Sequence, residues 1–490
     1  MKATTNTTKE KYRTPGLDIE QIIAKAKVAA QTFRHYTQEQ VDHITHAVFE
    51  AGFNNRVRLA KLTHEETKLG KWEDKVIKNV IATQYVYHDI ENARTVGVIA
   101  QDKEQEIVEV AEPVGPIFAV TPITNPSSTV LFKILISVKS RNPIIIRPHG
   151  SARKCSVEAA RLAYEAALDA GAPKNCVQWI TRCTREEVLT LMSHNQISLN
   201  LVTGSVGLVR AAYKSGNPTI GIGPGNVPVY IGKSADVPFA VEQICISKMF
   251  DYGTVCASEQ AIVANRHNVD EVIREFKKRK AYFLSREEIK RLEPVAFNKE
   301  EKVMRVEVIG QSAPRIAEMA GIKVPPDTTI LIAPLEEIGI HSPLSMEILA
   351  PILAFYVADD FEKAIELCRQ INQHGGLGHT ACIYSYKEDK IAHFASVMNA
   401  GRILVNTPAS QGALGGTYNK LKPSLMLACG TGGKNITTDN ISVRHLLNIR
   451  RIARRNVCPY ITDRFIHNYL DEGLDAEKIE ALYHKNHLLE

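Results

Sequence analysis

From Asp18 to about Asn92 apolar positions recur every three or four residues. The runs IEQIIAKAKVAAQTF, QVDHITHAVFEAGF and EDKVIKNVIATQYVYHDI therefore predict amphipathic helices. The period then shortens to two. IVEVAEPVGPIFAVTP alternates and stops at Gly and Pro, which predicts two strands, and NPIIIRP is a compact β-branched strand between prolines. A helix is expected from about Ser156 to Ala170, with ISLNLVTGS as the next strand. Strand, helix, strand in that order means a parallel sheet with helical crossovers, the nucleotide-binding architecture.

GNPTIGIGPGNVPVYI is dense in Gly and Pro, and the pattern changes character after it. A second α/β lobe is expected from about Val241, with helices at VDEVIREFKKRKAYF and FEKAIELCRQINQ and strands at TTILIAP, ILAFYV and HTACIYS. The chain thus divides into a disordered polar tail at 1–17, one lobe at 18–240, a second lobe at 241–437 and a C-terminal strand with a helical tail at 438–490. A cleft is expected between the lobes.

Composition narrows the class without changing this division. The 490 residues are 44% hydrophobic and 23% charged, as in ordinary globular proteins, and too many for one core. Nine cysteines, odd in number and without C-x-x-C spacing, argue for free thiols in a reducing cytoplasm and against a disulfide framework or a metal site. The net charge of +6 is dispersed except in IRRIARR, and with 7% aromatic residues and no reader motif this speaks against nucleic acid as a partner. TVLFKILISV carries a charge and falls far short of the roughly 20 residues that span a bilayer, so no membrane is expected. The polar start MKATTNTTKEKYRTPGLD has no apolar core and is not a secretory signal.

Two stretches could carry chemistry. In FDYGTVCASEQ, Cys256 is either a buried packing thiol, the commoner fate of free Cys, or a nucleophile. Gly253 and Ala257 leave its backbone accessible, and Ser258, Glu259 and Gln260 are unusual neighbours for a core thiol. In VTPITNPSSTVLFK, Asn125 either makes a turn before Pro126 or offers its amide as an oxyanion donor held rigid by that proline. Spacing alone leaves both readings standing.

These stretches, together with AEPVGPI, GPGNVPVYI, GGLGHTA, RILVNTPASQG and HLLNIRRIA in the same order, resemble the CoA-acylating aldehyde dehydrogenases, above all the aldehyde dehydrogenase half of bifunctional aldehyde-alcohol dehydrogenases. The resemblance runs from about Asp18 to Arg455. It implies an α/β aldehyde dehydrogenase-like fold: a Rossmann-type cofactor lobe at 18–240, a catalytic lobe at 241–437, an oligomerisation hairpin near 101–119 and a C-terminal oligomerisation strand. The bifunctional proteins continue into an iron-dependent alcohol dehydrogenase, and a standalone aldehyde dehydrogenase is expected here.

The resemblance also implies roles. Cys256 matches the nucleophile, Asn125 the oxyanion donor and Glu347 in SMEILAP the glutamate that holds the nicotinamide ribose; His379 falls on a histidine typical of the acylating enzymes, its role open. Gly204 and Ser205 in VTGSVG are expected at the cofactor pyrophosphate, through backbone N–H groups at a helix start. Hydrolytic relatives carry a water-activating glutamate where this chain has Ile222, and isoleucine is no base. The thioester should therefore wait for coenzyme A. A hydrolytic enzyme using another base, or a noncatalytic scaffold of the same fold, are the alternatives, and the scaffold would be expected to lose Cys256 or Asn125.

Cofactor, aldehyde and assembly follow from departures within the pattern. Many relatives place a ribose-binding acid after the second strand. Here the run is RPHGSARK, with Gly150 at that place among Arg147, His149, Ser151, Arg153 and Lys154, so NADP use beside or in preference to NAD is expected. The bifunctional relatives usually read Gly-Ser-Trp-Gly-Gly-Asn where this chain has GTGGKN, and Asn where it has Tyr252. Thr431, Lys434 and Tyr252 could bind an anionic aldehyde such as sulfoacetaldehyde, or the loop has drifted with Lys434 in solvent and acetaldehyde is the substrate. A homodimer or homotetramer is expected through the QDKEQEIVEVAEP ribbon. LDAEKIEALYHKN is read as a packed terminal helix in a cytoplasmic protein, with a microcompartment-targeting peptide as the alternative.

Overall fold

A computed structural model of the chain describes residues 17–456 and 465–487. The tail expected at 1–17 lies outside them except for Leu17, whose N–H donates to Glu187 Oε1 at 2.9 Å. The chain divides into two compact units, one of Met1–Ala93 with Pro113–Leu447 and one of Arg94–Glu112 with Asn448–Glu490. Among the described residues no helix is long and apolar enough to cross a membrane.

The first unit opens with the helices Ile19–Phe33, Gln38–Asn54, Arg56–Thr67 and Trp72–Val80, followed by a π turn at Ile81–Tyr85 and the short helix Val86–Ile90. Local chemistry sets their starts: Asp18 accepts from Gln21 N, and Thr37 with Gln40 closes a capping box. A five-stranded parallel sheet follows, in the order Val177–Trp179, Ile144–Arg147, Ile117–Val120, Leu199–Thr203, Thr219–Ile222. The first strand in sequence is central, and the order reverses between it and Leu199–Thr203. That is the switch point where open α/β sheets bind ligands, beyond the carboxyl ends of the strands. The crossover helix Pro126–Lys139 is buried along its whole length. Its Lys133 ammonium is clipped to Val120 O at 2.7 Å and Leu201 O at 2.9 Å, one carbonyl from each switch-point strand.

A seven-stranded parallel sheet forms the second half of this unit, in the order Tyr282–Phe283, Leu331–Pro334, Ile352–Ala358, Glu259–Asn265, Val227–Ile231, Gly378–Tyr384, Ala400–Val405. It takes up the chain at Val227, ahead of the change expected at 241. Every residue of Val227–Ile231 is buried, so this central strand reads as apolar as those before it. Only Gly223–Asn226 separate the last strand of the first sheet from the first strand of the second. So short a link sets the carboxyl ends of one sheet opposite the amino ends of the other. The candidate chemistry gathers along that seam.

The second unit holds a three-stranded sheet in which Gly97–Asp102 pairs antiparallel with Ile107–Pro113, and Leu447–Ala453 lies beside the latter. The hairpin expected near 101–119 is therefore Gly97–Pro113. Its turn is held by the Asp102 carboxylate, which accepts from Glu104 N and Gln105 N. The residues expected to complete it belong elsewhere: Ile117–Val120 is the central strand of the five-stranded sheet, because prolines at 113 and 116 end the antiparallel ladder. The helix Ala476–His487 follows, with Tyr483 packed edge-on to Phe465 at 6.4 Å.

The strand that carries His379 starts at Gly378, whose φ is +80° and where a Cβ would stand 1.6 Å from Cys429 O. Gly378→Ala is expected to destabilise by roughly 2–4 kcal/mol, the sum of backbone strain and a forced shift of the 429–435 loop. Thermal unfolding should show a midpoint several degrees lower; an unchanged midpoint would contradict this packing.

Candidate active site

Gly225 is where the site converges. Its N–H donates to Glu347 Oε1 at 2.8 Å, and a Cβ there would meet Cys256 O at 2.3 Å and the His379 ring at 3.1 Å. Only a residue without a side chain lets three segments come so close. Cys256 lies just before the strand Glu259–Asn265, His379 begins Gly378–Tyr384, and Glu347 precedes Ile352–Ala358. All three occupy the amino end of the second sheet.

Cys256 is half-buried, and its Sγ faces His379 Nε2 at 3.3 Å. The other ring nitrogen, Nδ1, is 2.9 Å from Thr380 Oγ1. Burial, then the neighbouring Arg402 guanidinium, lowers the His379 pKa to about 3, so the imidazole is neutral across the physiological range. Burial, then the Glu347 carboxyl, pushes the Cys256 thiol up to about 12, with Arg402 acting in the opposite direction. Glu347 is itself raised to about 8 by burial, against its bond from Gly225. Arg402 is buried and among the described residues donates to neutral acceptors, including His379 O at 2.7 Å, Ala428 O at 2.8 Å and Thr438 O at 3.1 Å. It braces the strand under His379 while leaving its charge to act on the site.

Asn125 follows the central strand of the first sheet and begins the helix Pro126–Lys139, with Pro126 in the first turn. Its Oδ1 accepts from Lys78 Nζ at 2.6 Å and its Nδ2 donates to Thr124 Oγ1 at 3.1 Å. Lys78 also bonds Asp251 Oδ2 at 2.5 Å and Thr254 Oγ1 at 2.8 Å. Asn125 is thereby tied to the loop that leads into Cys256. Within that loop Asp251, Tyr252 and Gly253 all have positive φ, at 49°, 51° and 73°.

The cofactor candidates fall at carboxyl ends of the first sheet. Gly204 and Ser205 lie between Leu199–Thr203 and the helix Val206–Tyr213. Beside them Thr203 Oγ1, and Thr121 Oγ1 at the end of the central strand, are buried without a hydrogen-bond partner among the described residues. Arg147 ends its strand; His149, whose Nδ1 accepts from Ser151 N, Gly150 and Ser151 lead to Arg153, the first residue of Arg153–Asp169. An acid missed in the sequence stands here as well. Glu66, from the helix Arg56–Thr67, accepts from Lys154 N at 2.8 Å and Cys155 N at 2.7 Å. Nothing near position 150 could announce a carboxylate supplied from so far along the chain.

The residues expected to hold an anionic substrate lie on two segments, Tyr252 ahead of Cys256 and Thr431 and Lys434 on the loop after Gly430. Tyr252 lies beneath Lys71 Nζ, 4.8 Å from its ring centre, and burial, then Asp74 and Glu73, raises its phenol pKa. Thr431 and Lys434 are exposed on a loop that packs at the start of Gly378–Tyr384, where Gly433 N donates to Cys429 O. A Cβ on Gly432 would meet Asn399 Oδ1 at 2.8 Å, so the glycine there serves close packing. Among the described residues no cluster of three or more His, Cys, Asp or Glu could hold a metal ion.

The aldehyde dehydrogenase family profile matches residues 2–419. The chain belongs to the aldehyde dehydrogenase family. It is 42% identical over 448 residues to aldehyde-alcohol dehydrogenase 2 of Entamoeba histolytica, covering 89% of this chain and 52% of that protein. The chain thus spans about half the length of such bifunctional relatives. It is 35% identical to the succinate-semialdehyde dehydrogenase (acetylating) of Clostridium kluyveri, over 90% of this chain and 96% of the relative. The crystal structure of an acetylating aldehyde dehydrogenase from Geobacillus thermoglucosidasius superposes with a TM-score of 0.87 at 44% identity, covering 90% of this chain and 96% of that one.

The electrostatics of this aldehyde dehydrogenase site can be read directly by alkylation. Glu347→Gln removes a negative charge that raises the Cys256 thiol pKa. Since the wild-type carboxyl ionises near 8, the variant should be alkylated by iodoacetamide faster than wild type above that pH, with little difference below it. The readout is the alkylated Cys256 peptide by mass spectrometry; equal rates at pH 9 would contradict the coupling.

Proposed function

We propose that the protein is a CoA-acylating aldehyde dehydrogenase, which oxidises a short-chain aldehyde with NAD(P)+ and passes the acyl group to coenzyme A through a thioester on Cys256. The observation that carries this reading is the Cys256 thiol facing the His379 imidazole at 3.3 Å. It is supported by Ile222, which is 2% exposed at the end of its strand and offers no carboxylate to activate water.

His379 Nε2 is within reach of the thiol proton, and the sulfur freed of it adds to the aldehyde carbon. The alkoxide that forms is met by the Asn125 amide and the Cys256 backbone N–H. A nicotinamide dinucleotide, when bound, supplies the hydride acceptor. The residues fit such a group: the switch point is lined by Gly204 and Ser205 at a helix start and by the unpartnered hydroxyls of Thr121 and Thr203. Glu347 would hold the nicotinamide ribose. The Cys256 thioester then persists until the thiol of coenzyme A attacks it, His379 again being the neighbour that takes the proton, and Cys256 leaves as thiolate.

Glu66 turns the cofactor reading toward NAD. Arg147, Arg153 and Lys154 could attract a 2′-phosphate, but the Glu66 carboxylate occupies the N–H groups at the same helix start and would repel one. For the aldehyde, the packing of Tyr252 against Lys71 and the exposure of Thr431 and Lys434 favour an uncharged short-chain substrate such as acetaldehyde over sulfoacetaldehyde. A homodimer or homotetramer is proposed through the three-stranded sheet, whose strand Leu447–Ala453 is largely exposed. A cytoplasmic location fits the eight free cysteines among the described residues, and the contact of Tyr483 with Phe465 supports a packed terminal helix over a targeting peptide.

Spectrophotometry with short aldehydes tests the reaction. NADH formation should be sustained only when coenzyme A is present, and Cys256→Ser should bind cofactor yet lose nearly all turnover. Sustained turnover without coenzyme A, or an active serine variant, would overturn the assignment. At equal concentrations NAD should outperform NADP, and Glu66→Gln should narrow the ratio by roughly tenfold, the effect of about 1.4 kcal/mol; a wild-type preference for NADP would reject the role of Glu66.

A further inference from the structure

The helix Trp72–Val80 lies outside every motif that pointed to chemistry, yet one of its faces reaches the site. Asp74, Lys75 and Lys78 stand at helical spacing with Lys71 just ahead, a pattern that in sequence reads as a solvated face. The side chains of Lys75 and Lys78 are instead only 3% and 2% exposed, against an Asp251 carboxylate at 0%. Asp251 Oδ2 accepts from Lys75 at 2.8 Å and from Lys78 at 2.5 Å, its Oδ1 accepts from Lys71 N, and its own N–H donates to Asp74 Oδ2.

We propose that Lys78 is a positioning residue for the oxyanion donor: it fixes which way the Asn125 amide points and locks that amide to the loop carrying the nucleophile. The proposal rests on the reading of Asn125 as that donor. A carboxamide keeps its shape when turned over, so packing alone does not decide which end faces the substrate. Lys78 decides it. An ammonium has three N–H groups and accepts nothing, so only Oδ1 of Asn125 can face it, and its three donors are matched by Asn125 Oδ1, Asp251 Oδ2 and Thr254 Oγ1 at 2.6, 2.5 and 2.8 Å. Of the two N–H bonds on Asn125 Nδ2, one goes to Thr124 Oγ1, leaving the other for the alkoxide. The cation also polarises the amide toward Oδ1, which makes the remaining N–H a stronger donor. Because the same ammonium holds Asp251 and Thr254, the donor and the chain entering Cys256 keep one spacing.

The test is a double-mutant cycle read by the rate of the single-turnover NADH burst with acetaldehyde in the absence of coenzyme A. Asn125→Ala should slow the burst roughly 10²–10³-fold. Lys78→Met, which keeps the chain length and removes every donor, should slow it by roughly 10–100-fold with cofactor affinity unchanged, and Lys78→Gln, which keeps an N–H donor, should recover part of the loss. The double variant should be no slower than Asn125→Ala alone, because Lys78 acts through that amide. If Lys78→Met leaves Asp251 undercompensated and the protein fails to fold, Lys78→Gln, which keeps a donor to that carboxylate, takes its place in the cycle, and its loss should likewise vanish in the Asn125→Ala background. A double variant slowed by the product of the two single losses would overturn the proposal. An Asn125→Ala enzyme with an undiminished burst would instead remove the oxyanion reading itself, whatever Lys78 does.

Discussion

The buried carboxylate of Asp251 is the anchor on which the seam depends. It sits at the start of three consecutive residues with positive φ, two of them not glycine, a conformation that costs about 1–3 kcal/mol at each non-glycine position. That strain persists because the carboxylate is over-determined: Lys71 N, Lys75, Lys78 and Thr254 all donate to it. Burial alone would raise its pKa, and the two lysines reverse the direction and hold it ionised. Removing one partner of such a buried pair costs about 3–5 kcal/mol, because it leaves an uncompensated buried charge. Gly70 is shaped to the same anchor, since a Cβ there would collide with the Asp251 carboxylate.

From that anchor the loop turns the chain so that Cys256 enters the amino end of the second sheet, where Gly225 admits it against His379. The opposition of the two sheets then does the rest. A strand end carrying the proposed cofactor crevice and a strand end carrying a thiol are brought face to face by the short Gly223–Asn226 link, with Lys78 and Asn435 bonding across the seam to Asp251 and Gly221 O. Burial sets the protonation of the site: the His379 imidazole is neutral, the Cys256 thiol is pushed up and the Glu347 carboxyl is raised to about 8.

Much of this was legible in the sequence. The period of three to four at 18–92 and the β-branched runs gave helices and strands where they stand, because those signals are local. Cys256, Asn125, Glu347 and His379 were visible in their motifs, and the structure draws Cys256, Glu347 and His379 around one glycine. What stayed hidden was non-local. The charges of Trp72–Val80 carry no sign that their partner is a carboxylate far along the chain, and Glu66 reaches the second-strand helix from a segment read only as helical. Two left-handed non-glycine residues at 251–252 cannot be inferred from composition, since neighbours outside the loop impose them. The hairpin was placed too far along because its second strand and the central strand share one alternating run.

The central claim is that Cys256 holds an acyl group that water does not remove and coenzyme A does. Intact-protein and peptide mass spectrometry after mixing the enzyme with acetaldehyde and NAD+ tests it most directly. The account predicts one acetyl group on the Cys256 peptide, persisting until coenzyme A is added and then appearing as acetyl-CoA. An acetyl group on another residue, or its loss to free acetate before coenzyme A is supplied, would contradict it.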